Sequence, residues 1–473
     1  MSEKDREKKA QEEENQHDGE IAVENIVAGT YETYLIAENG IRQYPNADNI
    51  ASVDGIVRIF FPPRKQNEET ADHIEEKDNQ SASRSDSASA DDSEGEIDSK
   101  KKFTKLVRLL LRNAPAITVI CENVHVDPCF RDSYYSFYSG QHFDMPRFTK
   151  RLTFFKGDWR DYDKFVKDAQ TLNKSFMGTC VIYPTYKRTI GQVLFDPQYL
   201  IKEVIIKEVS PVYIRLTDYS FTVLGVRLKL RAFLFQMQNG ETTRCAEVTL
   251  LNVLDYYGRT YNEYRTYLPS DIIHAERSLI ADRPIPARGI NYYAMSRILT
   301  KYGFTPRLYS FEALNQDITR GKSKSPLKHT TDKARMKVAQ EAWKKNDLDL
   351  HRLAHYYIES GIPVAINVAD RSNYLVPGHS LVCIGYVGRQ TEENKRQAMC
   401  AAITMPGGGP KLINAADYYS RYVVMDDNQT PYAIRHFDKL SLYSDLKVVH
   451  ILIPLYKRMH MEAADAMTLC AHY

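Results

Sequence analysis

Residues 236–258 read QMQNGETTRCAEVTLLNVLDYYG. Val248, Leu251, Leu254 and Tyr257 recur at three-residue steps, with Leu250 beside them, which is the period of an amphipathic helix. The helix is expected to open at Cys245. A threonine, Thr242 or Thr243, is expected to supply the N-cap oxygen, and Gly258 a left-handed C-cap. A cysteine in the first turn faces unpaired backbone N–H groups and the positive end of the helix dipole. Both favour thiolate, and a nucleophilic cysteine is often placed this way. A lone cysteine at a helix start also fits a small buried hydrophobe, so the rest of the chain has to decide.

Two kinds of residue further along bear on that choice. His379 opens an apolar run, GHSLVCIGYVG, that reads as a buried strand, and RYVVM ends at Asp426 and Asp427. An imidazole at a strand mouth is well placed to face a helix start across a cleft and take a thiol proton. A third group must fix the imidazole tautomer, and either aspartate is in the right chain order to do so. Singly, each feature has a plainer explanation: a hydrogen-bonded structural histidine, and ordinary turn chemistry after a strand. The order cysteine, histidine, aspartate in separate elements of one region points to a Cys245–His379–Asp426 constellation, with Asp427 as the alternative third member.

These stretches resemble the papain-like cysteine peptidase superfamily, and within it the bacteriocin-processing, double-glycine-leader-peptidase-like branch. TTRCAEVTLLNVLDYYG resembles the cysteine helix, GINYYAMSRILTKYGFTPRLYS the second helix and strand, and GIPVAINVAD the strand before the histidine. GHSLVCIGYVG resembles the histidine strand and YVVMDDN the aspartate strand, so the likeness covers about residues 236–456. It implies a helical lobe whose cysteine helix packs on an antiparallel sheet, here expected from 363–369, 379–387, 421–426 and 447–454. It also implies an oxyanion glutamine six residues before the cysteine. That position is Asn239, so Gln238, one place earlier, takes the assignment. Arg244 stands where an acidic residue is usual, and no transport motif follows, so a leader-peptide substrate is not carried over.

The 473-residue length suggests two to four domains, and 43% hydrophobic content supplies real cores. Net charge is +2, which gives no global reason to expect nucleic acid or a membrane surface as partner. The charged start MSEKDREKKAQEEENQ has no apolar h-region, and no run approaches membrane-spanning length. Seven cysteines without a CxxC pair read as a reduced, cytoplasmic set. Cys121, His125 and Cys129 are evenly spaced but lack the second half of a zinc site, so neither metal nor cofactor is expected. The abrupt end at Tyr473 suggests a shortened form of a longer protein, and the oligomeric state stays open.

The expected architecture is α+β in two domains. Residues 1–20 read as a disordered tail. Residues 21–230 form a strand-rich α+β domain, in which IAVENIV, TYETYLI and GIVRIFFP read as β-rich runs. Within it, 64–102, rich in Ser, Asp and Glu, reads as a disordered insertion that can be deleted. Residues 231–473 form the peptidase-like domain. The expected function is a thiol hydrolase acting on a peptide or protein substrate. Two other classes use the same residues. An acyl or amide transferase is told apart by whether an amine outcompetes water. A non-catalytic binding or regulatory module is told apart by slow alkylation of Cys245 that is indifferent to His379→Ala.

Overall fold

The computed structural model describes residues 31–37, 50–62, 88–141, 145–185, 188–201, 211–277, 289–310, 350–370, 378–388, 416, 419–441 and 446–459, with scattered positions of 461–469. The expected tail 1–20, residues 64–87 of the expected insertion and a helix candidate at 333–345 lie outside these. The chain divides into two units. One comprises 1–131, 143–190 and 222–228, the other 132–142, 191–221 and 229–473. Two segments that precede the boundary expected near 230 thus cluster with the residues after it.

In the first unit, β1 (Tyr31–Ala37), β2 (Ile50–Ala51), β3 (Ala116–His125), β4 (Thr149–Lys156) and β5 (Phe176–Ile182) lie side by side in the order β5-β4-β3-β1-β2. Pairing is antiparallel except for β1 with β2. The run GIVRIFF is not a strand. It belongs to α1 (Val53–Phe60), because Ser52 caps it through Gly55 N–H at 3.0 Å, and Ile56, Val57 and Phe60 recur at helical spacing and are buried. The expected insertion is corrected at its C-terminal end. Residues 88–102 belong to α2 (Ala88–Arg112), whose Ser99, Phe103, Leu106, Val107 and Leu110 are buried. An edge-to-face contact of Phe60 with Phe103, centroids 6.1 Å apart, ties the two helices. Deleting residues through 102 would cut into that packing. The unit also holds α3 (Pro128–Ser136, which runs into the second unit after 131), α4 (Tyr162–Lys167) and α5 (Ala169–Ser175).

The second unit is built on a six-stranded antiparallel sheet. Its strands are β11 (Arg307–Ser310), β12 (Val364–Ala369), β13 (His379–Val387), β14 (Arg421–Met425), β15 (Ala433–His436) and β16 (Lys447–Ile453). They run in the order β11-β16-β12-β13-β14-β15. Four of them fall within a residue of the stretches expected from their apolar runs. Every residue of β12 and β13 is buried, which is why they read as continuous hydrophobic sequence. Earlier come β6 (Ile190–Phe195), β7 (Val212–Ile214), the hairpin β8 (Thr217–Val223) and β9 (Val226–Ala232), and β10 (Phe235–Gln236), which pairs with β6. β7 adds to β13 at Gly385–Val387, where β12 no longer reaches.

One face of this sheet holds Val364, Ile366, Val368, Leu381, Cys383, Val424, Ile451 and Ile453. Leu350, Leu353, Ala354, Tyr357 and Ile358 of the helix at 350–359 pack on it. Alternate residues turn to the other face, where α6 (Cys245–Thr260) packs on β13. Next to α6 lie α7 (Pro269–Arg277) and α8 (Tyr292–Lys301). Gly258 does not cap α6, which continues to Thr260 with Tyr261 as C-cap. Its Cβ would collide with the backbone of Arg265 and Thr266, so glycine is there for the returning chain rather than for a left-handed turn. No helix among the described residues is long and apolar enough to cross a membrane.

Candidate active site

The loop before α6 is organised by Asn239. Its Oδ1 accepts from the N–H groups of Glu241, Thr242 and Thr243 at 3.0, 2.9 and 3.0 Å, and its Nδ2 donates to Thr242 Oγ1 at 2.6 Å. Thr242 Oγ1 also contacts Ser133 Oγ at 3.1 Å. The threonine hydroxyls are therefore spent inside the loop, and neither caps the helix as expected. Arg244 is the N-cap residue in extended conformation, and its N–H donates to Glu247 Oε2 at 3.1 Å. The carboxylate thus closes the first turn from below, the half of a capping box that glutamate supplies. Cys245 follows as the first helical residue, a free and half-buried thiol.

His379 is the first residue of β13. Gly378 before it passes so close to β12 that a Cβ would lie 2.5 Å from Val368 O. His379 Nε2 donates to Asp426 Oδ1 at 2.7 Å, and Asp427 Oδ1 is farther, at 3.4 Å. The Cys245 side chain lies in hydrogen-bond reach of the same imidazole. With Nε2 committed to Asp426, Nδ1 is the nitrogen left for the sulfur.

Asp426 is fully buried and well supplied with donors. Asn428 N–H reaches Oδ1 at 2.9 Å and Gln429 Nε2 reaches Oδ2 at 2.5 Å. Gln429 is itself held by Leu440 O at 3.2 Å and by Arg435 Nε, which donates to its Oε1 at 2.5 Å. Burial alone would push the Asp426 carboxyl up. Its bonds to His379, Gln429 and Asn428 outweigh that and hold it below the usual carboxylate range. Burial likewise opposes charge on His379. The hydrogen bonds to Asp426 and Cys245 and the negative charge of both aspartates win, and its pKa lies well above 6.5.

The structure brings Cys245, His379, Asp426 and Asp427 together, with Asp426 the nearer carboxylate. Gln238 lies on the loop just after β10, half-buried, its amide making no hydrogen bond among the described residues. Asn239, at the spacing where the resemblance puts the oxyanion glutamine, is consumed by the loop. Sequence reasoning missed Asn428, whose Nδ2 lies 3.3 Å from His379 Nε2, and Gln429. The run Asp426–Asp427–Asn428 after an apolar strand reads as turn chemistry, which hides the role of Asn428, and Gln429 carries no signal of its own.

His379, Asp426 and Asp427 form the one trio among the described residues close enough to share a metal ion, with ligand atoms within 4.8 Å. His379 Nε2 is bonded to Asp426, so an ion held through that nitrogen would compete with that bond. Cys121, His125 and Cys129 do not converge. Cys121 Sγ bonds Asn123 and His125 pairs with Glu122, and burial pushes the Cys121 thiol up to about 12. No protein-family model and no curated protein matches this chain.

Proposed function

We propose that the second unit is a papain-like cysteine peptidase domain, a thiol hydrolase that cleaves a peptide or amide bond through an acyl-enzyme on Cys245. The observation that carries this reading is the single imidazole of His379, bonded through Nε2 to buried Asp426 and in reach of Cys245 at the first turn of α6. An antiparallel sheet with the cysteine helix on one face supports it.

His379 takes the thiol proton, and Sγ attacks the carbonyl carbon. The carbonyl π electrons move to oxygen, where the Cys245 N–H and the Gln238 amide are the donors. Collapse breaks the C–N bond, and His379 gives its proton to the leaving amine. Water then attacks the thioester, His379 accepts its proton, the C–S bond breaks, and the proton returns to sulfur as the acid leaves. Asp426 holds the imidazole so that the same nitrogen faces the sulfur and the leaving group in turn.

The test is turnover of a peptide library by the whole chain, with trapped acyl-enzyme read by mass spectrometry. Hydrolysis with an adduct on Cys245, and loss of both in Cys245→Ala and His379→Ala, is the expected result. Full hydrolysis by Cys245→Ala contradicts it. An amine-capped product that displaces the acid in the presence of an added amine makes the site an acyl transferase.

A further inference from the structure

The turn between β10 and α6 is flanked by the two donors that the proposed mechanism assigns to the oxyanion. Gln238 comes just before it, and the Cys245 N–H follows shortly after it. Inside the turn, Asn239 Oδ1 holds the N–H groups of Glu241, Thr242 and Thr243, and Gly240 N–H donates to Thr243 O at 3.1 Å. Residues 239–243 are thereby tied into one body. The Gln238 amide makes no hydrogen bond among the described residues, so its place follows that of the turn. Two side chains from far earlier in the chain grip the turn from outside. Tyr138 O–H donates to Glu241 Oε2 at 2.6 Å across 103 residues of sequence, and Ser133 Oγ lies 3.1 Å from Thr242 Oγ1. Both belong to the segment 132–142 of the second unit. Tyr138 opens a single 3-10 turn, Tyr138–Gly140, and is 2% exposed, with its ring 5.2 Å from that of Phe137 between centroids. Burial first, and the charge of Glu241 second, push the Tyr138 phenol up, which keeps it a donor.

We propose that Tyr138 is a positioning residue for the oxyanion site: through Glu241, its hydroxyl holds the 239–243 turn so that the Gln238 amide and the Cys245 N–H keep a fixed relation. The proposal rests on the reading of Cys245 as nucleophile and Gln238 as oxyanion donor. Donors stabilise a developing charge most when they need not reorient as it forms. Removing the hydroxyl leaves the bonds inside the turn and the packing of α6 on β13 intact, so the thiol stays beside His379. What loosens is the turn as a body, and with it Gln238, which has no other tie. A reaction of Cys245 that passes through an oxyanion then slows, and one that forms no oxyanion does not.

The experiment uses the whole chain, Tyr138→Phe, Glu241→Ala and the double variant, with two reagents for Cys245 and the rate of Cys245→Ala subtracted as background. p-Nitrophenyl acetate acylates the thiol. Sγ bonds to the carbonyl carbon, the carbonyl electrons pass to oxygen, and collapse of that oxyanion expels p-nitrophenolate, whose absorbance gives the rate. Iodoacetamide alkylates the same sulfur by displacing iodide, with no oxyanion. Tyr138→Phe is expected to slow acylation about tenfold and to leave alkylation within about twofold. Glu241→Ala should do the same, and the double variant should be no slower than either, because all three break one bond. Equal slowing of both reactions overturns the proposal, since a merely structural side chain would act on both alike. Unchanged acylation, or additive losses in the double variant, overturns it as well. His379→Ala tells this proposal from the reading beneath it. If that variant reacts with both reagents as fast as the unaltered protein, Cys245 is not an activated nucleophile, and both fall. If Tyr138→Phe does not fold, the half-buried acceptor variant Glu241→Ala carries the same comparison alone.

Discussion

Asp426 and Asp427 are neighbours in sequence with opposite surroundings. Asp426 accepts from His379, Asn428 and Gln429, while Asp427 stands 3.4 Å from the same ring nitrogen. Removing the charge from the first turns an acceptor for Nε2–H into a group that can offer N–H instead, and the ring loses its tautomer. Asp426→Asn is expected to cost on the order of a hundredfold in turnover, and Asp427→Asn less than about threefold, with both measured as kcat/KM on one peptide. The reverse order would leave the cysteine and histidine in place and transfer the orienting role to Asp427. The choice between the two was open in the sequence because strand alternation does not fix which residue after a strand end turns inward. Asn428 and Gln429 were invisible for the same reason, since their work depends on how the turn folds back over the carboxylate.

The loop and first turn before α6 show how far local chemistry can be read. A helix opening at Cys245 was legible from the spacing of Val248, Leu251, Leu254 and Tyr257, and its caps were not. Thr242 lost the cap to a loop that Asn239 organises, and Gly258 was required by the backbone of Arg265 and Thr266 rather than by the helix end. The strands β12, β13, β14 and β16 were legible because each is buried along all or nearly all of its length. GIVRIFF was misread because a short apolar run looks alike in both periods. Asn239→Ala removes the acceptor of three backbone N–H groups, two of them in the buried residues Thr242 and Thr243. It is expected to destabilise the protein by about 1–3 kcal/mol and to slow Cys245 labelling, because the loop sets where the helix begins. Thermal unfolding together with a labelling rate checks this, and an unchanged labelling rate would separate the loop from the site.

The division of the chain matters for anyone isolating the proposed catalytic part. The second unit draws on 132–142 and 191–221 as well as 229–473. β7 fills the edge of β13 and Tyr219 O–H bonds the buried carboxylate of Asp255 on α6. Arg215 bonds the carbonyls of Ile358 and Glu359, and Asp132 caps α7 through Ser270. A fragment of 231–473, the domain as sequence delimits it, loses all of these and leaves backbone donors and acceptors of β13 exposed. It is expected to lack the cooperative thermal transition of the whole chain and to label Cys245 without dependence on His379. A sharp transition at the same temperature would show that the earlier segments are dispensable.

The central claim is that His379 activates Cys245, and iodoacetamide labelling of Cys245 in the whole chain at pH 6 tests it most directly. At that pH an ordinary thiol is almost wholly protonated and reacts slowly. The account predicts that the unaltered protein labels at least about tenfold faster than His379→Ala, with the two proteins equally folded by circular dichroism. Equal and slow labelling of both would contradict it.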